Sequence, residues 1–570
     1  MDAILLMVIP CVGYFIAYHT YGRFIAHKIF NVRDDESVPS ETCKDAKDFV
    51  PSRRGIVFGH HYTSIAGTGP IVGPAIGIIW GWVPAIIWIF VGSIAMGAVH
   101  DFGALVLSMR HEGKSIADIA SRYINRRIRY ILFLIVFFEL LIVIAVFALI
   151  IALIFSLFPA SVFPVWIQIP IAVLLGIAIY KKKVNVTGAT IIAIVCMYCT
   201  VFIGQYIPFV MPQCGIVPAT ALWIIILLIY VFIASTLPIT TLLQPRDYIN
   251  AWQLIIVMVI LMASIIVSGI TTDIHIVAPA FNLKPKGAPP LWPFLCLTIV
   301  CGAISGFHAL VSSGTSSKQI AKPRDALFIG YGAMMLEAAL ATLVIVAVSA
   351  GIGLAYTTGE GNILTGAAAW NTHYASWGAS GGLGSKIDAV VVGSANMMAT
   401  MGISKTIGIV IMGVFISSFA GTTLDSATRI QRYIISELCT SLKISVMTNR
   451  YIATLFAVCT AALLAFVTGL DGKGALTLWP VFGSVNQLLA ALALILLTIY
   501  LRGRGGLKYL VTALPGLFMT IMTLWSIIFN EITFIEQRNW LLISLNTTIF
   551  ILAVWMIIES MLVFMRGKKD

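Results

Sequence analysis

Apolar residues in this chain stand in long continuous runs, and the polar residues gather between the runs instead of alternating with them. A run of about 17 to 25 apolar residues crosses about 30 Å of hydrocarbon as helix, whereas a barrel strand would alternate at every second position. The pattern predicts an all-α integral membrane protein with about fifteen transmembrane helices. They fall near 3–19, 56–76, 83–108, 131–157, 163–180, 187–210, 220–241, 252–270, 291–312, 326–350, 406–420, 451–469, 477–501, 508–528 and 540–565. The first run follows Asp2, not a basic segment, and has no clear small-residue cleavage site. It reads as a retained helix and not as a signal peptide.

Two runs are interrupted. In 59–74, Gly67, Gly69, Pro70, Gly73 and Pro74 crowd behind His60 and His61. Each proline removes an amide donor and pushes the residue before it out of helical angles. Freed backbone is stable in hydrocarbon only where protein encloses it or where it lines a wet cavity, so the break marks a substrate or ion path. The plainer reading is a tight turn between two short helices. In 300–318, Gly302, Ser305, Gly306 and His308 gather in the same manner. The first broken helix runs inside to outside and the second outside to inside, and each is followed by a hairpin partner, 83–108 and 326–350. That parity is the one an inverted repeat requires. The expected organisation is an N-terminal helix and cytoplasmic loop (1–55), a first five-helix repeat (56–210), two linking helices (211–290), a second five-helix repeat (291–501) and two C-terminal helices (502–570). An unrelated stacking of hairpins is the alternative.

Composition agrees with the pattern, since 59% hydrophobic and 11% charged residues could not cover the chain with a polar surface in water. With the N-terminus outside, 30 of the 36 Lys and Arg residues fall on one side, including Lys181 to Lys183 and the C-terminal Arg566, Lys568 and Lys569. The other side receives Lys284, Lys286, Lys386, Lys405, Lys473 and Arg538. Basic residues are held in the cytoplasm during insertion, which puts the C-terminus inside. The net charge of +12 is therefore a topology signal and gives no reason to expect a nucleic-acid partner. The basic segment 110–130 is expected to lie along the cytoplasmic headgroups as an amphipathic helix. The nine cysteines sit mostly in apolar runs. Cys196 and Cys199 have CxxC spacing but no histidine or redox context nearby, so no disulfide, metal site or cofactor is inferred.

The candidate chemistry gathers at the breaks. His60 and His61 are about 100° apart on a helix, so one of them is expected to face the cavity. Histidine titrates near neutral pH and suits proton coupling; a neutral histidine donating to a carbonyl is the structural reading of His60, His61 and His308 alike. Freed amides from Gly67 to Gly73 suit a substrate carboxylate, and freed carbonyls suit a cation. The candidate substrate-binding set is His60, His61, Thr68, Gly69, Gly73, Ser305, Gly306 and His308. Glu139, Glu337 and Asp101 are carboxylates inside apolar runs, where a charge costs about 2.5 to 3.5 kcal/mol on insertion scales, so each is a coupling candidate or a helix-to-helix hydrogen bond. Arg246 and Asp247 follow Pro245 at a cytoplasmic helix end and read as a gate or salt bridge, or as an interfacial anchor. The nine histidines form no HExxH cluster, and no Walker loop or hydrolase elbow is present, so no enzyme is read.

Several runs carry a resemblance: Gly59-His60-His61, Ala66-Gly67-Thr68-Gly69-Pro70-Ile71-Val72-Gly73-Pro74, Gly97-Ala98-Val99-His100-Asp101-Phe102, Pro245-Arg246-Asp247-Tyr248, the stretch Gly302 to Thr315, Thr423 to Tyr433, Leu478-Trp479-Pro480-Val481-Phe482-Gly483, and Asn486 to Leu492. Together they resemble the carbon starvation protein A (CstA) family, over about 20–500. The resemblance implies uptake of peptides or of pyruvate with protons, and a core of two inverted five-helix repeats like that of amino acid, polyamine and organocation transporters. The chain looks like a compact variant, shorter than the long members. In resembling transporters the eighth helix of the core holds a cation beside the first broken helix, which implies an ion role for Thr422, Thr423, Asp425 and Ser426; the plain reading is a helix cap. The expected function is secondary-active import of a small carboxylate-bearing nutrient, a short peptide or pyruvate, with a proton or sodium ion across the bacterial inner membrane. Its expected partners are that substrate, the coupling cation and the lipid bilayer. An ion channel or a membrane nutrient sensor is the alternative.

Overall fold

The computed structural model is helical throughout, apart from a two-stranded ribbon pairing Tyr356–Thr357 with Ile363–Leu364. The described residues are 2–566 without 46, 183, 273 and 359–360; Lys183, Lys568 and Lys569 of the basic set lie outside them. Among the described residues 12 helices are long and apolar enough to cross a membrane, or 13 if one bent pair is a single span. Two expected spans fall short of that measure. One is Arg450–Phe466, with 17 residues, and the other is the second broken segment, whose pieces are too short. A helix at Leu383–Thr400 lies where the sequence suggested only a loop, because Lys386, Asp388 and several Gly, Ser and Asn residues dilute its apolar character.

The helices that build the site are α1 (Arg54–Ile65), α2 (Gly69–Gly77), α3 (Trp82–Met109), α4 (Arg126–Leu157), α5 (Ala219–Thr236), α6 (Leu243–Thr271), α7 (Leu291–Thr298), α8 (Gly306–Gly314), α9 (Leu327–Leu354), α10 (Leu383–Thr400), α11 (Lys405–Ser441), α12 (Arg450–Phe466) and α13 (Lys473–Arg502). Of the spans, α9, α11 and α13 are the most enclosed, while Val186–Gly204 and Trp540–Arg566 turn most of their surface outward.

The first break is narrower than the sequence suggested. α1 ends at Ile65, Ala66 to Thr68 are non-helical, and the chain bends by 41° into α2, which runs on through Gly73 and Pro74. Pro70 is tolerated because it sits in the first turn, where amides have no intrahelical acceptor. The second break spans Ile299 to Ser305, between α7 and α8.

The two broken segments run antiparallel. At one end the amides of Val50 and Ser52, leading into α1, donate to the carbonyls of Lys318 and Gln319 beyond α8, at 3.2 and 3.0 Å. At the other end the Trp80 indole donates to the Pro289 carbonyl, ahead of α7, at 3.2 Å. Their middles touch. A Cβ on Gly69 would overlap the Cys301 side chain, and one on Gly73 would overlap the Thr298 carbonyl.

Two further expectations are corrected. Segment 110–130 is not one headgroup helix: it holds a short helix, Ile116–Tyr123, and its last basic residues already belong to α4. Arg129 reaches back to Asp118 at 2.7 Å, which ties the segment to protein. Nor can Thr422 to Ser426 cap a helix end, because α11 continues to Ser441.

Candidate functional site

A cavity of about 580 Å³ opens at the end opposite the basic loops and reaches both breaks. Thr68, Gly69 and Gly73 line it from α2 and its cap, Thr298 from the end of α7, Cys301 from the second break, and Asn486 from α13. Phe294, Trp479 and Phe529 give it largely apolar walls, and Trp377 and Gln537 stand at its mouth. Close approach of backbone is what the glycines provide, since any side chain at Gly69 would fill the contact with Cys301.

Three of the sequence-derived substrate candidates line this cavity: Thr68, Gly69 and Gly73. The others lie behind it. Both His60 and His61 are fully buried on α1 and point different ways, and neither faces the cavity. His60 Nδ1 lies 2.5 Å from Asp247 Oδ2, and His61 Nδ1 lies 2.8 Å from Ser316 Oγ. Ser305 and Gly306 sit against α13, where the Asn486 side-chain oxygen accepts from the Ser305 hydroxyl at 3.2 Å and from the Phe307 amide at 3.0 Å. A Cβ at Gly306 would collide with the Asn486 carbonyl.

His308 joins two carboxylates. Its Nδ1 is 2.9 Å from Asp101 Oδ2, and its Nε2 is 3.5 Å from Glu337 Oε2. Asp101 also accepts from His100 Nδ1 at 2.8 Å. All four side chains are fully buried. With Nδ1–H donating to Asp101, Nε2 and the Glu337 carboxylate are left facing each other, and neither Glu337 oxygen has a hydrogen-bond partner. Glu139 on α4 is equally buried but stands apart, with both oxygens unpartnered and no ion pair among the described residues.

The α11 cluster is differently committed. Arg246, in the first turn of α6, forms a salt bridge with Asp425, and the same guanidinium donates to the Tyr230 hydroxyl oxygen at 2.6 Å. Arg246 is thus buried in an ion pair and is not an interfacial anchor. Thr422 accepts from Asn250 at 3.1 Å, Thr423 donates to the Ser64 carbonyl at 3.2 Å, and the Ser426 hydroxyl meets that of Ser64 at 2.8 Å. The two Ser64 contacts clamp α11 to α1 just below the first break, and the Asn250 contact ties it to α6.

The basic end is closed by a further cluster. Asp48 pairs with Arg429 at 2.7 Å and with Arg432 at 3.3 Å, and Lys318 stacks on the Tyr433 ring at 3.8 Å. Burial alone would raise the Asp48 carboxyl, but the two guanidiniums outweigh it and hold it at about 2.

Asn486, Cys301, Thr298 and Lys386 were not named as site residues from the sequence, although Asn486 opens one of the runs that carry the family resemblance. An amide inside the apolar run of α13 was the available signal for Asn486; Thr298 and Cys301 look like ordinary packing residues until the second break exposes them.

The sequence matches the family model described as Carbon starvation protein CstA over residues 2–526. It is 31% identical to the peptide transporter CstA of Campylobacter jejuni, over 92% of this chain and 80% of that one. It is also 31% identical to the pyruvate/proton symporter BtsT of Escherichia coli, over 92% of this chain and 81% of that one. Among solved structures, MhsT in complex with L-phenylalanine overlaps 84% of this chain and 98% of its own, at 13% identity and a TM-score of 0.48.

Proposed function

The chain belongs to the carbon starvation protein CstA family, and we propose that it is a secondary-active importer moving a small carboxylate-bearing nutrient, a short peptide or pyruvate, together with a proton. The observation that carries the coupling is the His308–Glu337 pair. With the His308 tautomer fixed by Asp101, one proton between Nε2 and Glu337 leaves the pair neutral. Removing it leaves a second buried anion near Asp101, so the site favours holding a proton until something rearranges it. The cavity supplies that link. Asn486 lines the cavity and holds Ser305 and the Phe307 amide, and His308 is the next residue along.

A sodium site at Thr422, Thr423, Asp425 and Ser426 is less favoured, because the Asp425 carboxylate is already neutralised by Arg246. In this reading the basic loops are cytoplasmic, the N-terminus is outside, and the membrane is the bacterial inner membrane. The conformation is then open outward and closed inward by Asp48, Arg429 and Arg432.

The inverted five-helix repeat belongs to the same proposal, with a changed membership. α6 lies along α1 as α13 lies along α8, and α5 packs on α4 as α12 packs on α11. The first set is therefore the first broken helix with α3, α4, α5 and α6, and the pair Pro159–Lys181 and Val186–Gly204 is an insertion on its outer face. Uptake of labelled pyruvate and labelled dipeptide by reconstituted vesicles, with and without a proton gradient, tests the function. Flux that follows only the substrate's own gradient would indicate a channel, and binding without flux a sensor.

A further inference from the structure

The outward cavity has one charged side chain among the described residues that line it, and that residue is Lys386. It is 7% exposed, yet no carboxylate lies within ion-pair distance of it. Its ammonium sits 5.9 Å from the centre of the Trp479 ring, another cavity wall. A buried cation without a counter-ion is costly, and the position adds to the cost: Lys386 is in the first turn of α10, where the helix dipole opposes positive charge and attracts anions. An anion entering the cavity relieves both.

The same walls say what the anion lacks. Apart from Lys386 the polar lining is neutral, with Thr68, Thr298, Asn486, Asn530, Thr533 and Gln537, and among the described lining residues there is no carboxylate to receive an ammonium. A desolvated ammonium would therefore meet only neutral acceptors and a like charge.

We infer that Lys386 is the carboxylate anchor of the outward cavity, and that the cavity takes small monocarboxylate anions carrying no free ammonium. The inference rests on the reading of this cavity as the substrate's entrance, and narrows it to one substrate class. Trp479 stands in the cavity wall beside the ammonium, with Phe294, Phe482 and Phe529 also in the lining, so a carboxylate bound to Lys386 lies in a largely apolar cavity.

The test is binding, read separately from transport. The detergent-solubilised full chain is titrated with sodium pyruvate and sodium lactate, following quenching of its tryptophan fluorescence, to which Trp377 and Trp479 in the cavity wall contribute. Pyruvamide serves as the neutral analogue and alanyl-alanine as the zwitterion. Saturable quenching by the two anions is expected, with affinity falling about 10- to 100-fold in Lys386→Gln and Lys386→Met and restored in Lys386→Arg, as for loss of a charged hydrogen bond. Pyruvamide and alanyl-alanine should displace pyruvate poorly. Unchanged affinity in Lys386→Gln, equal displacement by either analogue, or no monocarboxylate binding to the unmodified chain overturns the inference. Binding that follows this pattern without gradient-driven accumulation would uphold it and refute the transport reading instead.

Discussion

The imidazole of His308 faces the carboxylate of Glu337 across 3.5 Å, in full burial, while Asp101 holds the opposite ring nitrogen at 2.9 Å. This pair connects α8, just beyond the second break, to α9, none of whose described residues lines the cavity. Coupling in the proposed mechanism is therefore a property of the pair and of its link to Asn486.

Glu337→Gln should lose uphill accumulation of substrate while keeping exchange of labelled for unlabelled substrate, because a glutamine still fills the site but cannot take up or release the proton. Glu139→Gln should keep both, since Glu139 contacts none of this network. Vesicle uptake and counterflow measure the two properties separately. Wild-type accumulation in the Glu337 variant would remove it from the coupling path.

Gly69→Val and Gly306→Val should insert normally yet reduce uptake to background. The added side chains would collide with Cys301, at the contact between the breaks, and with the Asn486 backbone, where α8 meets α13. Membrane abundance by immunoblot, set against uptake, checks this; transport by either variant would mean that the contact is not needed.

The proposed orientation predicts that single cysteines at Glu112 and Lys284, both exposed, react with impermeant reagent from opposite sides of the membrane in a cysteine-free background. Reaction from the same side would refute the threading. Ser115, though also in the basic loop, is unsuited to labelling because it is buried and donates to Glu437 at 2.6 Å.

Asp48→Asn should loosen the closure at the basic end, seen as faster labelling of Ser426→Cys from that side. The Asp48 carboxyl is held below its ordinary value, so its pairing with Arg429 and Arg432 is fully present above the usual carboxylate range, near 4, and is lost only as pH falls toward about 2. Any pH dependence of transport between pH 5 and 8 must therefore arise elsewhere, and it should persist in the Asp48 variant. A flat pH profile in that variant would contradict this.

Much of this was legible in the sequence. Clustered Gly and Pro at 67–74 and Gly and Ser at 302–306 located both breaks, because a backbone without its ladder needs such residues wherever it sits. Glu337 and His308 stood out as titratable groups in apolar runs. What could not be read is pairing across long separations: nothing local tells that Arg246 neutralises Asp425, that His60 turns to Asp247, or that Glu139 has no partner among the described residues while Glu337 faces His308. Lys386 was counted only as a loop charge, since the folding of its segment into α10 against Trp479 depends on tertiary packing and not on local hydropathy.

The most direct test of the central claim is accumulation of labelled pyruvate in vesicles containing only this protein, with an inward proton gradient imposed and sodium absent. The account predicts a transient rise above equilibrium that a protonophore abolishes and that Glu337→Gln lacks. Simple equilibration regardless of the gradient, or accumulation that requires sodium and ignores the proton gradient, would contradict it.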